Sequence, residues 1–117
     1  MRGARQREQE EKDKQRKAEE IRKRQHERAI RDAIQQISTT LNETDEQPMR
    51  HITRTVELLG YEWALTLLAD VAHIEANGGM MLSDGTRRRT VGGVFFYLLK
   101  QRLKEQNRNA DVKAIFK

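Results

Sequence analysis

Between Asn77 and Lys100 the chain reads N-G-G-M-M-L-S-D-G-T-R-R-R-T-V-G-G-V-F-F-Y-L-L-K, with five glycines and three consecutive arginines. Paired glycines let a backbone turn sharply or let another molecule approach it closely. The N–H groups that open a helix attract an anion, and guanidinium forks match phosphate oxygens. Gly78, Gly79, Thr86, Arg87, Arg88, Arg89, Thr90, Gly92 and Gly93 together describe a phosphate clamp. The same residues also suit a solvated loop whose arginines pair with acidic groups elsewhere in the chain. Recognition of a single nucleic-acid strand adds aromatic stacking to phosphate contacts. Tyr97 is the candidate ring, because two positions after Phe95 it is rotated off the inner helix face toward Lys100 and Lys104. Phe96 is a second candidate, whereas Tyr61 and Trp63 read first as core or rim residues, with a place bordering the groove as the alternative.

Other chemistries find no carriers. The glycine segment lacks a G-K-S or G-K-T end and follows a helix pattern, so it is no nucleotide P-loop, and it lacks the G-x-G-x-x-G spacing of a dinucleotide site. His26, His51 and His73 share no ligand spacing, and the chain has no cysteine, which argues against a metal site and against a disulfide framework. Ser38 and Ser83 have no histidine and acid partner pattern. The expectation is a protein without catalysis or cofactor.

Charge is segregated along the chain. Residues 1–31 hold 12 Lys and Arg against 7 Asp and Glu, while residues 32–117 hold 11 of each. Within the neutral part, residues 43–75 carry 2 basic against 7 acidic side chains, and residues 84–108 carry 7 against 2. A basic pole therefore follows Gly79. The polar N-terminus and the shortness of the apolar stretch Val94–Leu99 predict a chain with no signal peptide and no membrane partner. The expected location is intracellular, cytoplasmic rather than nuclear.

The elements that must position these residues read as helices, because one proline and 5% aromatics accompany abundant Ala, Leu, Glu, Lys and Arg. Residues 1–28 form a charged, exposed arm, helical or disordered. Its pairs Glu8–Lys12, Glu10–Lys14, Asp13–Lys17, Glu19–Lys23, Glu20–Arg24 and Glu27–Arg31 have favourable i, i+4 order. This arm is either a sequence-tolerant nucleic-acid contact or a solvated helical spacer or coiled-coil segment, and the missing apolar seam argues against the coiled coil. From Ala29 an apolar face begins with Ile30, Ile34, Ile37 and Leu41, and residues 29–117 read as the helical domain. A second helix over 45–59 starts at a capping box of Thr44 and Gln47 and stops at Gly60. A central third helix spans 61–76. The loop or short hairpin over 80–90 turns at Asp84 and Gly85, a fourth helix spans 91–106, and a last short turn over 111–116 docks through Val112, Ile115 and Phe116. The fold class is all-α, a small domain of four to five helices with a long charged N-terminal helix or arm.

Residues 45–100, and on to Phe116, closely resemble the RNA-binding domain of the phosphorylated adaptor for RNA export family. The resemblance rests on Val56-Glu57-Leu58-Leu59-Gly60, on Glu75-Ala76-Asn77-Gly78-Gly79, and above all on Gly85-Thr86-Arg87-Arg88-Arg89-Thr90 followed by Gly92-Gly93-Val94-Phe95 and Leu98-Leu99-Lys100. It implies a compact helical domain that binds single-stranded RNA with little sequence preference. Val91 stands where that family usually has proline. RNA binding is expected to carry over, and nuclear export is not. The competing reading is an interaction adaptor acting through the charged arm.

Overall fold

The computed structural model describes residues 2–117, and these form five helices: α1 Arg2–Leu41, α2 Glu46–Leu59, α3 Tyr61–Ala76, α4 Val91–Glu105 and α5 Asn109–Phe116. The molecule measures 79 × 27 × 26 Å, because α1 alone runs for 40 residues and rises about 60 Å at the helical pitch. Its first buried side chain among the described residues is Ala33, followed by Ile37 and Leu41. Ile30 and Ile34 are only partly covered. None of the six anticipated i, i+4 pairs closes. Asp13 is instead held by Arg16 at 2.9 Å and by Gln9 at 3.1 Å, a small difference, since exposed pairs of either spacing contribute at most a few tenths of a kcal/mol.

Helix α1 continues through Ser38, Thr39 and Thr40 and ends where Asn42 takes φ 56°. The Glu43 N–H then donates to the Ser38 carbonyl at 3.0 Å, the bond that closes a helix over a left-handed residue. Gly78 at φ 104° ends α3 by the same device, with Gly79 donating to Ile74 at 2.9 Å. The start of α2 differs from the Thr44 capping box. Asp45 occupies the cap, no side chain bonds there, and Pro48 follows within the first turn, where its missing N–H has no helical partner to lose.

Helix α3 packs against α1, α2 and α4, the central position its many apolar residues require. It buries Ala64, Leu67, Leu68 and Val71, leaves Leu65 and Ile74 partly covered, and exposes Ala72. Helix α4 supplies Val94, Phe95, Leu98, Leu99 and Leu103 to the same core. Helix α5 is longer than the turn anticipated, starting at Asn109 after Asn107 turns at φ 58°. Ile115 plugs it into the core, and Arg54 of α2 donates to the carbonyls of Ile115 at 3.2 Å and Lys117 at 3.1 Å. A basic side chain counted within the acidic half thus satisfies a helix C-terminus. No helix among the described residues is long and apolar enough to cross a membrane.

Candidate nucleic-acid interface

The segment joining α3 to α4 folds as a tight hairpin. Met81 and Arg88 form an antiparallel bridge, Leu82 donates to the Arg87 carbonyl at 2.8 Å, and Arg89 donates to that of Met80 at 2.6 Å. At the tip Gly85 adopts φ 73°. The Asp84 carboxylate accepts from the Thr86 N–H at 3.0 Å and from its hydroxyl at 2.8 Å, bonds that hold its pKa below the usual carboxylate value.

Extended backbone alternates its side chains, so three consecutive arginines cannot share a face. Arg88 turns toward α3, pairing with Glu75 Oε2 at 2.7 Å and lying across Gly79, where a Cβ would collide with its guanidinium. Arg88 and Gly79 thus fit the alternative of a loop braced on acidic groups, while Gly78 serves to end α3. Arg89 turns the other way. Its Nε donates to the Met81 carbonyl and its terminal nitrogen to Ser83 Oγ, each at 3.2 Å, while the guanidinium carbon stands 4.5 Å from the centre of the Tyr97 ring. Arg87 is exposed, and its side chain has no partner among the described residues. Tyr97 is 40% exposed, so part of its ring stays open to solvent beside the stacked cation.

Gly93, Tyr97, Lys100 and Lys104 follow at spacings of four, three and four, so one stripe of α4 carries them. Beside it lies a depression of about 420 Å³, lined by Thr90, Gly92, Gly93 and Lys100 together with Glu43, Gln47, Pro48, His51, Phe96 and Phe116. His51, Phe96 and Phe116 meet edge to face with ring centres 4.9–6.0 Å apart, and the Lys100 ammonium rests 4.5 Å from the Phe116 ring centre. Of the three rings, the sequence marks Phe96 as a candidate for stacking and Phe116 as a docking residue, but gives His51 no such role. Gln47 and His51 share a face of α2 at i, i+4, but nothing in the sequence aligns that face with α4. His26, His51 and His73 lie on α1, α2 and α3 respectively, and no cluster of three metal-ligating side chains occurs among the described residues.

Burial, followed by the positive charges of Arg54, Arg50 and Lys100, pushes the His51 pKa below 6.5. The unfolded histidine takes a proton near that pH and the folded one resists it. Stability is therefore complete above this value and is lost as pH falls through the lower folded pKa. The melting temperature, followed from about pH 8 to about pH 5, is expected to fall below pH 6.5. His51→Gln should flatten that decline, and an unchanged slope would remove His51 as its source.

The two glycines that open α4 have different surroundings. A Cβ on Gly92 would strike the Glu43 carboxylate, whereas a Cβ on Gly93 would lie 3.1 Å from Thr90 Oγ1, the cap that accepts the Gly93 N–H at 3.0 Å. Glu43 is a flexible side chain and can swing away, so Gly92→Ala should keep most of the gain in helix propensity, up to about 1 kcal/mol. Gly93→Ala disturbs a cap worth about 1 kcal/mol and should lose the whole gain. Thermal melts should rank Gly92→Ala above Gly93→Ala, and the reverse order would show that Glu43 holds its place more firmly than the cap.

The arrangement offers one unpaired guanidinium, one stacked on an open ring, two lysines on the next turns and an aromatic depression alongside. These are means of holding a phosphate-linked strand with its bases turned inward. Residues 33–117 match the family model described as Phosphorylated adapter RNA export protein, RNA-binding domain. Among curated proteins, the Phosphorylated adapter RNA export protein of Mus musculus is 51% identical over 49 residues, or 42% of this chain and 13% of that protein. The Homo sapiens and Gallus gallus proteins of the same name are each 49% identical over 49 residues, 42% of this chain and 12% of theirs. The match therefore spans about an eighth of the length of these curated relatives. No solved structure matches the chain.

Proposed function

The chain belongs to the family of the Phosphorylated adapter RNA export protein RNA-binding domain, and on that premise we propose that it is a non-catalytic module binding single-stranded RNA with little sequence specificity. The strand's phosphates run from Arg87 and Arg89 along α4 to Lys100 and Lys104. Its bases turn onto Tyr97 and into the depression bounded by His51, Phe96 and Phe116. Thr86 and Thr90 hold the hairpin and the helix start in place, and Gly93 keeps the approach to the backbone open. Gly92 serves the same approach only when the Glu43 carboxylate gives way. Arg88, with Gly79, fixes the hairpin on α3, and Gly78 ends that helix.

The observation that carries this reading is the Arg89–Tyr97 stack, with its cation 4.5 Å above a ring that remains 40% exposed. An open ring backed by a cation suits an unstacked base, which a duplex does not offer. The full chain should therefore bind single-stranded RNA more tightly than duplex of equal length, with affinity declining as salt rises. Equal affinity for both forms, or a flat salt dependence, would overturn the proposal.

A further inference from the structure

Helices α2 and α3 meet at Gly60 with no further linker, and α1 crosses this corner at His26 before projecting from the globule. Between the corner, α1 and the last turns of α4 opens a cavity of about 640 Å³, within the usual size of small-ligand sites. Three aromatic side chains line it, His26, Tyr61 and Trp63. The rings of His26 and Tyr61 stand 5.9 Å apart at an interplanar angle of 59°. Tyr61 and Trp63 are half-buried against the core, which fixes them, and His26 is exposed.

Polar groups complete the rim. Arg102 is already held by Asp70 at 2.7 Å, and the side chains of Gln106 and Glu62 have no partner among the described residues. A carboxylate at the rim repels a phosphate. It suits a group that donates hydrogen bonds, as the exocyclic amino group of a base does. Gln106 offers both a donor and an acceptor to the rest of such an edge.

From Gly93 to Gln106 the helix advances about 20 Å, and Arg102 and Gln106 lie around its last turns from Lys104. By helical rotation Arg102 and Gln106 lie on the side of α4 opposite that stripe, so a strand following the stripe must cross the last turn of α4 to reach the cavity. The geometry points to this cavity as a second subsite of the bound RNA, taking one amino-bearing base, adenine, cytosine or guanine, against Trp63 and Tyr61. This inference rests on the RNA reading above and adds a modest base preference to it.

Trp63 is the chain's single tryptophan, so its emission reports this cavity alone. The full chain is titrated with oligocytidylate and oligouridylate of about twelve nucleotides, with affinity read by anisotropy of labelled RNA and occupancy by Trp63 fluorescence. Oligocytidylate should bind roughly fivefold more tightly and alter Trp63 emission more strongly. His26→Ala and Glu62→Ala change exposed side chains, so the fold should persist. Glu62→Ala removes the acceptor for the amino group and should erase the cytidylate advantage, while His26→Ala removes one aromatic wall and should reduce the Trp63 emission change. Arg87→Ala should instead weaken both strands equally. Equal affinities with unchanged Trp63 emission would overturn the cavity assignment and leave the α4 reading standing, whereas failure of either strand to bind would overturn both.

Discussion

Replacing Arg87 and Arg89 together by alanine is expected to weaken single-stranded RNA binding on the order of a hundredfold, about 3 kcal/mol, without unfolding the protein. Arg87 contributes nothing to the fold, since its guanidinium has no partner among the described residues, while Arg89 gives up two bonds of 3.2 Å and its stack on Tyr97. The salt dependence should also become shallower, by about 0.7 in slope for each phosphate of a single strand left without its cation. Arg88→Ala should behave differently. It removes the 2.7 Å pair with Glu75, whose side chain is 25% exposed and whose other oxygen is buried without a partner. A partly exposed pair contributes up to about 1 kcal/mol, so this variant should melt lower and retain most of its affinity. Binding isotherms and thermal melts on the same samples separate the arginines. Equal binding losses for all three with unchanged melting would restore the picture of one undivided basic clamp.

That division could not have been read from the sequence, because R-R-R looks uniform until the backbone is known to be extended there. Once the Met81–Arg88 bridge exists, alternation decides that Arg88 meets Glu75 while its neighbour Arg89 turns to Tyr97 of α4. The helices were far more legible. Val94, Phe95, Leu98, Leu99 and Leu103 repeat at helical spacing and all prove buried, and Asn77-Gly78-Gly79 stops α3 as its residue types require. The Thr44 capping box failed because Asn42 ends α1 and Glu43 is drawn toward α4, which leaves Asp45 to open α2.

Val112, Ile115 and Phe116 mark a docked C-terminal turn in the sequence and do pack on the core, but nothing local names the helices they dock against. The docking of α5 brings Phe116 to His51 and Phe96, and Arg54 holds that helix in place across about 60 residues of chain. Residue type alone marked Arg54 as a minor charge in an acidic half. Its role follows from unsatisfied carbonyls at the end of α5, which exist only after the chain has folded.

The second large effect concerns where the folded unit begins. The family match starts at residue 33, and the apolar face read from the sequence starts near Ala29, yet α1 passes both points without a break. We propose that residues 1–28 are dispensable for folding and that the last turns of α1 are integral to the core, since Ala33, Ile37 and Leu41 are 0–3% exposed. Ile37→Ala should cost about 2–5 kcal/mol, the usual range for truncating a fully buried isoleucine. In a domain whose whole stability is on the order of 5–15 kcal/mol, that is a large share. Ile21→Ala, on the projecting part where the side chain is 54% exposed, should change stability by less than about 0.5 kcal/mol. A chain shortened to begin near residue 25 should melt close to the full protein, and one beginning after Leu41 should not fold, because the surfaces of α2, α3 and α4 that α1 covers would be opened to water. Denaturant unfolding followed by circular dichroism provides the measurement. If Ile37→Ala and Ile21→Ala proved equally mild, the long helix would be an appendage along its whole length and the core would have to close without it.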